Sequence, residues 1–211
     1  MANVINYGTL KAWLSTTGHR GDLASDLSGF IQDAESMIAE NVRAVELVKT
    51  AALVEADRVS GPLYNLPSDF LGPRAVTGTK ASSAYALKQV SIAELYRYGT
   101  SGTAVVFAIY NNQIEFRAAP AVDASFTLIY YARPAAFVQD ADTNALISSH
   151  PNLYQHAAMH WFHIHTQDIE LATAHEASFF AAAESVNALA EEIRGTGSVA
   201  NQQNYSSQGT M

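Results

Sequence analysis

The chain has 211 residues, 48% of them hydrophobic, with 20 acidic against 12 basic side chains, a formal net charge of -8 and no cysteine. That length suits one domain, or one domain with an appendage, burying roughly 70% of its unfolded surface, and the lack of cysteine excludes disulfides, thiolate metal sites and thiol catalysis. The acidic balance opposes affinity built on neutralising phosphates, and no segment shows a leader pattern or approaches the ~20 apolar residues of a membrane span, so a soluble, non-exported protein that does not grip DNA is expected.

The first predicted element is a short helix around Leu10 to Leu14, about residues 9–16, closed by the loop from Gly18 to Gly21. Leu23, Leu27, Phe30, Ile31, Ala34, Ile38, Val42 and Val45 then recur at helical spacing. They predict one amphipathic helix over 23–45, about six turns long, with Asp22 as its cap. Between residues 46 and 133 the pattern changes to short β-rich runs broken by Gly, Pro, Ser and Asn, which predicts an antiparallel insertion. Ser91 to Tyr98 interrupts it as a short helix ending at Gly99. Asn111 and Asn112 separate two strand-like runs at the spacing of a tight hairpin, whose turn must tolerate positive φ. Phe107, Ile109, Ile114 and Phe116 then share one face. In the strand FTLIYYARP, Tyr130 and Tyr131 point to opposite faces, one into the core and the other toward a neighbour or solvent.

After Pro134 the acidic loop VQDADTN, read as solvated, leads to helices over 150–166 and 168–194, expected to pair as an antiparallel hairpin. Gly195 ends the helical pattern, and the 17 residues GTGSVANQQNYSSQGTM hold almost nothing to bury, so 195–211 is expected to be a flexible C-terminal arm. The fold class is therefore α+β. One domain over 1–194 sets an N-terminal helix and a C-terminal helical hairpin around a small antiparallel sheet or barrel.

Chemistry is sparse along this chain. Four of the seven histidines crowd into HAAMHWFHIH. On a helix His156, His160 and His163 fall within about 60° of one another, a geometry that permits a shared zinc ion. The metalloprotease pattern needs a glutamate after the first histidine, where Ala157 stands. Leu153, Ala157, Trp161 and Ile164 define the expected buried face, with the histidines along its border. GTSG at 99–102 is one residue short of a nucleophile elbow, and Gly78, Thr79, Lys80 lacks the spacing of a phosphate loop. Asp140 with Asp142, and Glu191 with Glu192, read as solvated surface. No cofactor and no catalytic residue is predicted.

Several segments in a fixed order carry a resemblance. LSGFIQDAESMIAENVRA, with Ala34, Glu35 and Arg43, is followed by LPSDFLGPRAV with its Leu-Pro-x-Asp-Phe turn. The hairpin AVVFAIYNNQIEF, Pro120, FTLIYYARP, an acidic loop and HPNLYQHAAMHWF come next. From about Leu23 to Leu189 this order resembles the head-to-tail adaptor proteins of tailed bacteriophages. The His run departs from that family, where the corresponding helix is mostly alanine and aliphatic.

The resemblance implies a virion protein made in the bacterial host cytoplasm and placed at the head-tail junction. It would be a non-catalytic homo-oligomeric ring, implied to be twelvefold, that binds the portal protein, meets a tail or further neck protein and extends the DNA channel. An acidic wall would repel passing DNA, not hold it. In the family, C-terminal arms are thought to insert between portal subunits. Asn201, Gln202, Gln203, Asn204 and Tyr205 are therefore candidate portal contacts, with Arg74, Arg133 and Tyr131 as further interface candidates. The competing reading is a metal-binding module or metal-dependent enzyme built on His156, His160 and His163.

Overall fold

In a computed structural model, the described residues of the protein are 4–80, 83–117 and 125–206, with the backbone alone for Glu55 and 195–206. Pro120 and residues 207–211 lie outside them. In chain order the helices are α1 (Tyr7–Gly18), α2 (Leu27–Asn41), α3 (Ile92–Leu95), α4 (Ala145–Ser149), α5 (Pro151–His165) and α6 (Ile169–Ser206). The strands are β1 (Val48–Leu53), β2 (Arg58–Ser60), β3 (Leu63–Asn65), β4 (Phe70–Lys80), β5 (Ser83–Ala86), β6 (Lys88–Gln89), β7 (Val106–Tyr110), β8 (Gln113–Arg117) and β9 (Ser125–Ala132). They fall into two compact units: a helical one from residues 1–47 with 134–211, and a sheet unit from 48–133.

In the helical unit, α1 begins where Asn6 accepts the Thr9 N–H at 2.9 Å while Thr9 Oγ1 accepts the Asn6 N–H at 3.1 Å, a reciprocal cap. The next orphan donors, Tyr7 and Gly8 N–H, reach the carbonyls of Asp142 and Asp140 at 2.9 Å each. The loop is solvated, as read from sequence, with the Asp140 side chain 74% exposed, and its backbone carbonyls also serve the start of α1. Asp140 pairs with Lys11 at 2.5 Å. The Asp142 carboxylate accepts the N–H groups of Gln139 and Val138 at 2.7 Å, which hold it below the ordinary carboxylate range.

The helix expected over 23–45 is shorter. A 3-10 turn at Gly21–Leu23 precedes it and α2 proper starts at Leu27. Asp22 does not cap it, because its carboxylate is held by the Arg20 guanidinium at 2.7 and 2.8 Å. Leu23 and Leu27 are buried as their spacing requires, along with Phe30, Ile31, Ala34 and Ile38.

Helix α5 is the centre of this unit. Leu153, Tyr154, Ala157, Ala158 and Phe162 are essentially inaccessible. The face expected from sequence is rotated, with Trp161 half-buried and Ile164 40% exposed. The reason is that α5 is covered on several sides, by α1, α2, α4 and α6, so its buried surface is not one stripe. Phe162 meets Phe30 edge-on at 5.8 Å, and Gly18 lies against the Phe162 ring where a Cβ would collide. Gln167, in the left-handed region at φ 60°, turns the chain from α5 into α6. The two helices then run antiparallel, as expected, and Phe179, Ala183 and Ala190 of α6 enter the core.

Helix α6 is corrected at its far end, since its backbone continues to Ser206 instead of stopping at Arg194. Two glycines, at 195 and 197, each cost about 1 kcal/mol of helix propensity. A helix already formed gains one hydrogen bond per added residue, however, and no proline stops it.

In the sheet unit, one sheet has the order β1-β9-β4-β5 and is fully antiparallel. The other has the order β2-β3-β8-β7-β6, antiparallel except for the short parallel pair β6 with β7. Both sheets contribute side chains to one core, where Phe116 of β8 stacks on Phe126 of β9 at 4.2 Å. Asn111 (φ 49°) and Asn112 (φ 58°) make the predicted two-residue turn between β7 and β8. Phe107 pairs with Phe116 and Ile109 with Ile114, all on the core side. Pro73 is tolerated in β4 because β5 pairs only with Thr77–Lys80, leaving the backbone there unneeded by a second neighbour. The short helix predicted from Ser91 reduces to α3, with the Ser91 hydroxyl accepting the Glu94 N–H.

Replacing Phe116 with Ala removes one ring of the stack from a fully buried site. The expected cost is about 3–5 kcal/mol. Urea titration with near-ultraviolet circular dichroism measures it.

Candidate functional site

The sequence segments that carry the resemblance turn out to hold the fold together. In the sheet unit, the Asp69 side chain of the Leu-Pro-x-Asp-Phe turn accepts the Tyr130 hydroxyl at 2.9 Å and Lys49 Nζ at 2.7 Å. Its carbonyl accepts the Arg133 N–H at 2.6 Å. One turn residue thus ties two successive motifs, LPSDF and YYARP. Burial alone would raise the Asp69 pKa, but Lys49 and Tyr130 together outweigh it and hold the carboxyl below its ordinary range. Burial, reinforced by the Asp69 charge, pushes the Tyr130 hydroxyl up to about 12.

In the helical unit, Asn187 of α6 clamps the end of α2. Its Oδ1 accepts the Arg43 N–H at 2.7 Å and its Nδ2 donates to the Asn41 carbonyl at 2.9 Å. The Arg43 guanidinium donates to the Ala39 and Val42 carbonyls at 2.8 Å each, satisfying acceptors that the end of a helix leaves open. Ala34 is fully buried. Glu35 accepts the Phe137 N–H at 2.9 Å, and burial raises its pKa despite that bond.

The predicted interface residues separate into three groups. Arg74 and Tyr131 come together: Arg74 stands at the register shift between Pro73 and Ala75 of β4, with its guanidinium 6.0 Å from the centre of the Tyr131 ring. Tyr131 does point away from the core that holds Tyr130, but it is only 5% exposed and its hydroxyl is buried without a hydrogen bond. The opposite-face expectation holds, and of its two alternatives for the outer tyrosine, a neighbour or solvent, the chain's own Arg74 supplies the neighbour. Arg133, just past β9, is exposed. Asn201, Gln202, Gln203, Asn204 and Tyr205 lie on the last turns of the α6 backbone, and their side chains lie outside the described residues.

The histidines sit along the α5–α6 seam. His156 Nδ1 is 3.1 Å from the Nδ1 of His175, and His160 Nδ1 is 3.0 Å from the Ala172 carbonyl. His163 is 8% exposed instead of lying at a border, and its ring stacks on His175 at 5.5 Å and 11°. Sequence reasoning missed His175. The signal was its place on the predicted second hairpin helix, opposite His156 once the helices are antiparallel. Among the described residues no group of three or more His, Asp or Glu side chains is arranged to hold a metal ion.

The weak enzyme motifs also dissolve. Gly78 is a strand residue lying under the Tyr85 ring, where a Cβ would come within 2.5 Å, so Gly78 to Lys80 is no phosphate loop. Gly102 turns a loop at φ 110°, with no strand-to-helix elbow around it. A cluster that sequence reasoning missed lies on β8, where buried Glu115 pairs with Arg117 at 2.8 Å and accepts the Tyr110 hydroxyl. That hydrogen bond, with burial, raises the Tyr110 pKa.

A family model described as SU10 adaptor protein matches residues 5–204. No curated protein matches the chain.

Asp69→Ala strands the buried Tyr130 hydroxyl and releases the exposed Lys49 to solvent, with an expected cost of about 1–3 kcal/mol. Adding Tyr130→Phe to that variant costs much less than it does alone, because its partner is already gone, and a double-mutant cycle of urea midpoints reads the coupling. Since the Asp69 pKa is lowered on folding, its contribution is present above the ordinary carboxylate value and is lost as pH falls toward the folded value.

Proposed function

The chain belongs to the SU10 adaptor protein family of phage head-to-tail adaptors, and from that membership we propose that it forms a ring beneath the portal vertex, joins the DNA-filled head to the tail and lengthens the DNA channel. The observation that carries this reading is the extent of the match, which takes in both compact units and most of α6. The protein is a structural virion component. Among the described residues no helix is long and apolar enough to cross a membrane.

Physical features support the finer parts of the proposal. A channel lining must let a polyanion slide, and a net charge of -8 repels phosphates. Helix α6 has 38 residues and so runs roughly 57 Å. Ala190 is the last position along it that is buried among the described side chains. The C-terminal residues from 195 on, with Asn201 to Tyr205, engage portal subunits. One such segment binds weakly, because ordering each residue costs on the order of 1–2 kcal/mol. A ring of them makes every contact after the first effectively intramolecular, which turns weak joints into a stable one. Arg74 and Arg133 serve the neighbouring subunit or the portal, and twelve copies close the ring.

Native mass spectrometry of the chain, alone and mixed with the portal protein of the same genome, tests this. A monomer that joins the portal in multiple copies is the expected result. Removal of 195–211 is expected to lower portal binding at least tenfold, and undiminished binding would refute the assigned role of the C-terminal segment.

A further inference from the structure

The α5–α6 seam holds four imidazoles whose arrangement depends on their being largely uncharged. His156 and His175 face each other Nδ1 to Nδ1 at 3.1 Å, so one nitrogen must carry the hydrogen and the other must be bare. A first proton can be shared by such a pair. A second sets two N–H groups against one another. His163 and His175 lie face to face at 5.5 Å, where two imidazolium rings would repel. His163 Nδ1 is buried without a partner, so a proton there would be a buried donor with nothing to accept it. His160 differs from the other three in placement, its Nδ1 donating to the Ala172 carbonyl.

From this geometry we infer that the α5–α6 hairpin is a proton-sensitive latch, closed at neutral pH and loosened in mild acid, with the His156–His175 pair and His163 as its sensing groups. The surroundings favour that sense. Asp168, in the turn between the helices, is the acidic group bearing on His163, and burial of His163 outweighs its attraction. The charges bearing on His175 are the three other imidazoles, each opposing its protonation together with burial, while burial alone acts on His156. On the other sides of α5, Lys11 of α1 is engaged by Asp140, and Glu35 of α2 by the Phe137 N–H. The neighbouring rings are apolar: Phe162 against His163, and Phe30 against Phe162.

The direction follows from linkage. These groups have folded pKa values below the ordinary histidine value, so the unfolded chain takes up protons first. Their stabilising contribution is complete above about pH 6.5 and is lost as pH falls through that value toward the folded pKa values. The loss precedes carboxylate titration, which separates it from general acid unfolding. Because α6 carries the C-terminal segment, the latch also sets how firmly that segment's base is held.

The test uses the full chain. Ring-proton NMR is expected to place the midpoints of His156, His163 and His175 below the ordinary histidine value of about 6.5. The Tm is expected to drop by about 5 °C between pH 7.5 and 5.5. In the His156→Gln/His175→Gln variant, which keeps hydrogen bonding without titrating, at least half of that drop should vanish. Seam midpoints at or above about 6.5, or an unchanged Tm slope in the variant, would overturn the inference. Where the double variant does not fold, hydrogen exchange of the wild-type chain decides: after correction for intrinsic pH dependence, opening of residues 156–175 must rise at pH 5.5, and no rise overturns it.

Discussion

Helix α5 is the element on which the helical unit depends. It is the one helix that α1, α2, α4 and α6 all pack against, and the small residues Ala157 and Ala158 let neighbouring backbones come close while Tyr154 and Phe162 fill the space between. An amphipathic helix with one apolar stripe could bury one neighbour. A helix covered on several sides needs apolar or small residues nearly all round, and any polar side chain it carries there must be satisfied by its neighbours. His156 and His160 of α5 meet this condition by pairing with α6 instead of with water, whereas His163 keeps a buried Nδ1 without a partner.

The motifs that carry the family relationship explain themselves on the same terms. Asp69, Tyr130 and the Arg133 backbone knot the sheet unit, while Arg43 and Asn187 close the end of α2. Each is a polar group at the rim of a core, where a missing partner would leave a desolvated donor or acceptor. The motifs that carry the resemblance to adaptors are caps, clamps and turns.

Legibility followed the range of the interactions. The β7–β8 hairpin could be read from Asn111 and Asn112 because a two-residue turn is local chemistry, and alternation then put Phe107, Ile109, Ile114 and Phe116 on the core face. Asp22 was misread as a cap because Arg20, two residues away, competes for its carboxylate, and the backbone bonds from the solvated 138–142 loop to α1 were not legible because their partners lie more than a hundred residues away. His175 was invisible as a member of the histidine cluster until the hairpin register brought it opposite His156.

The sequence by itself determined the class of the fold, the helical and β-rich segments and the acidic charge, because periodicity, turn chemistry and net charge are properties of neighbouring residues and of sums, while the order of its motifs carried the resemblance to adaptors. Tertiary structure alone decided which polar groups are satisfied: that Asp69 meets Tyr130, that Asn187 meets Arg43, that both tyrosines of YYARP are buried and that four imidazoles share one seam. Those outcomes rest on pairs separated by tens of residues, whose meeting depends on packing geometry that no local pattern encodes.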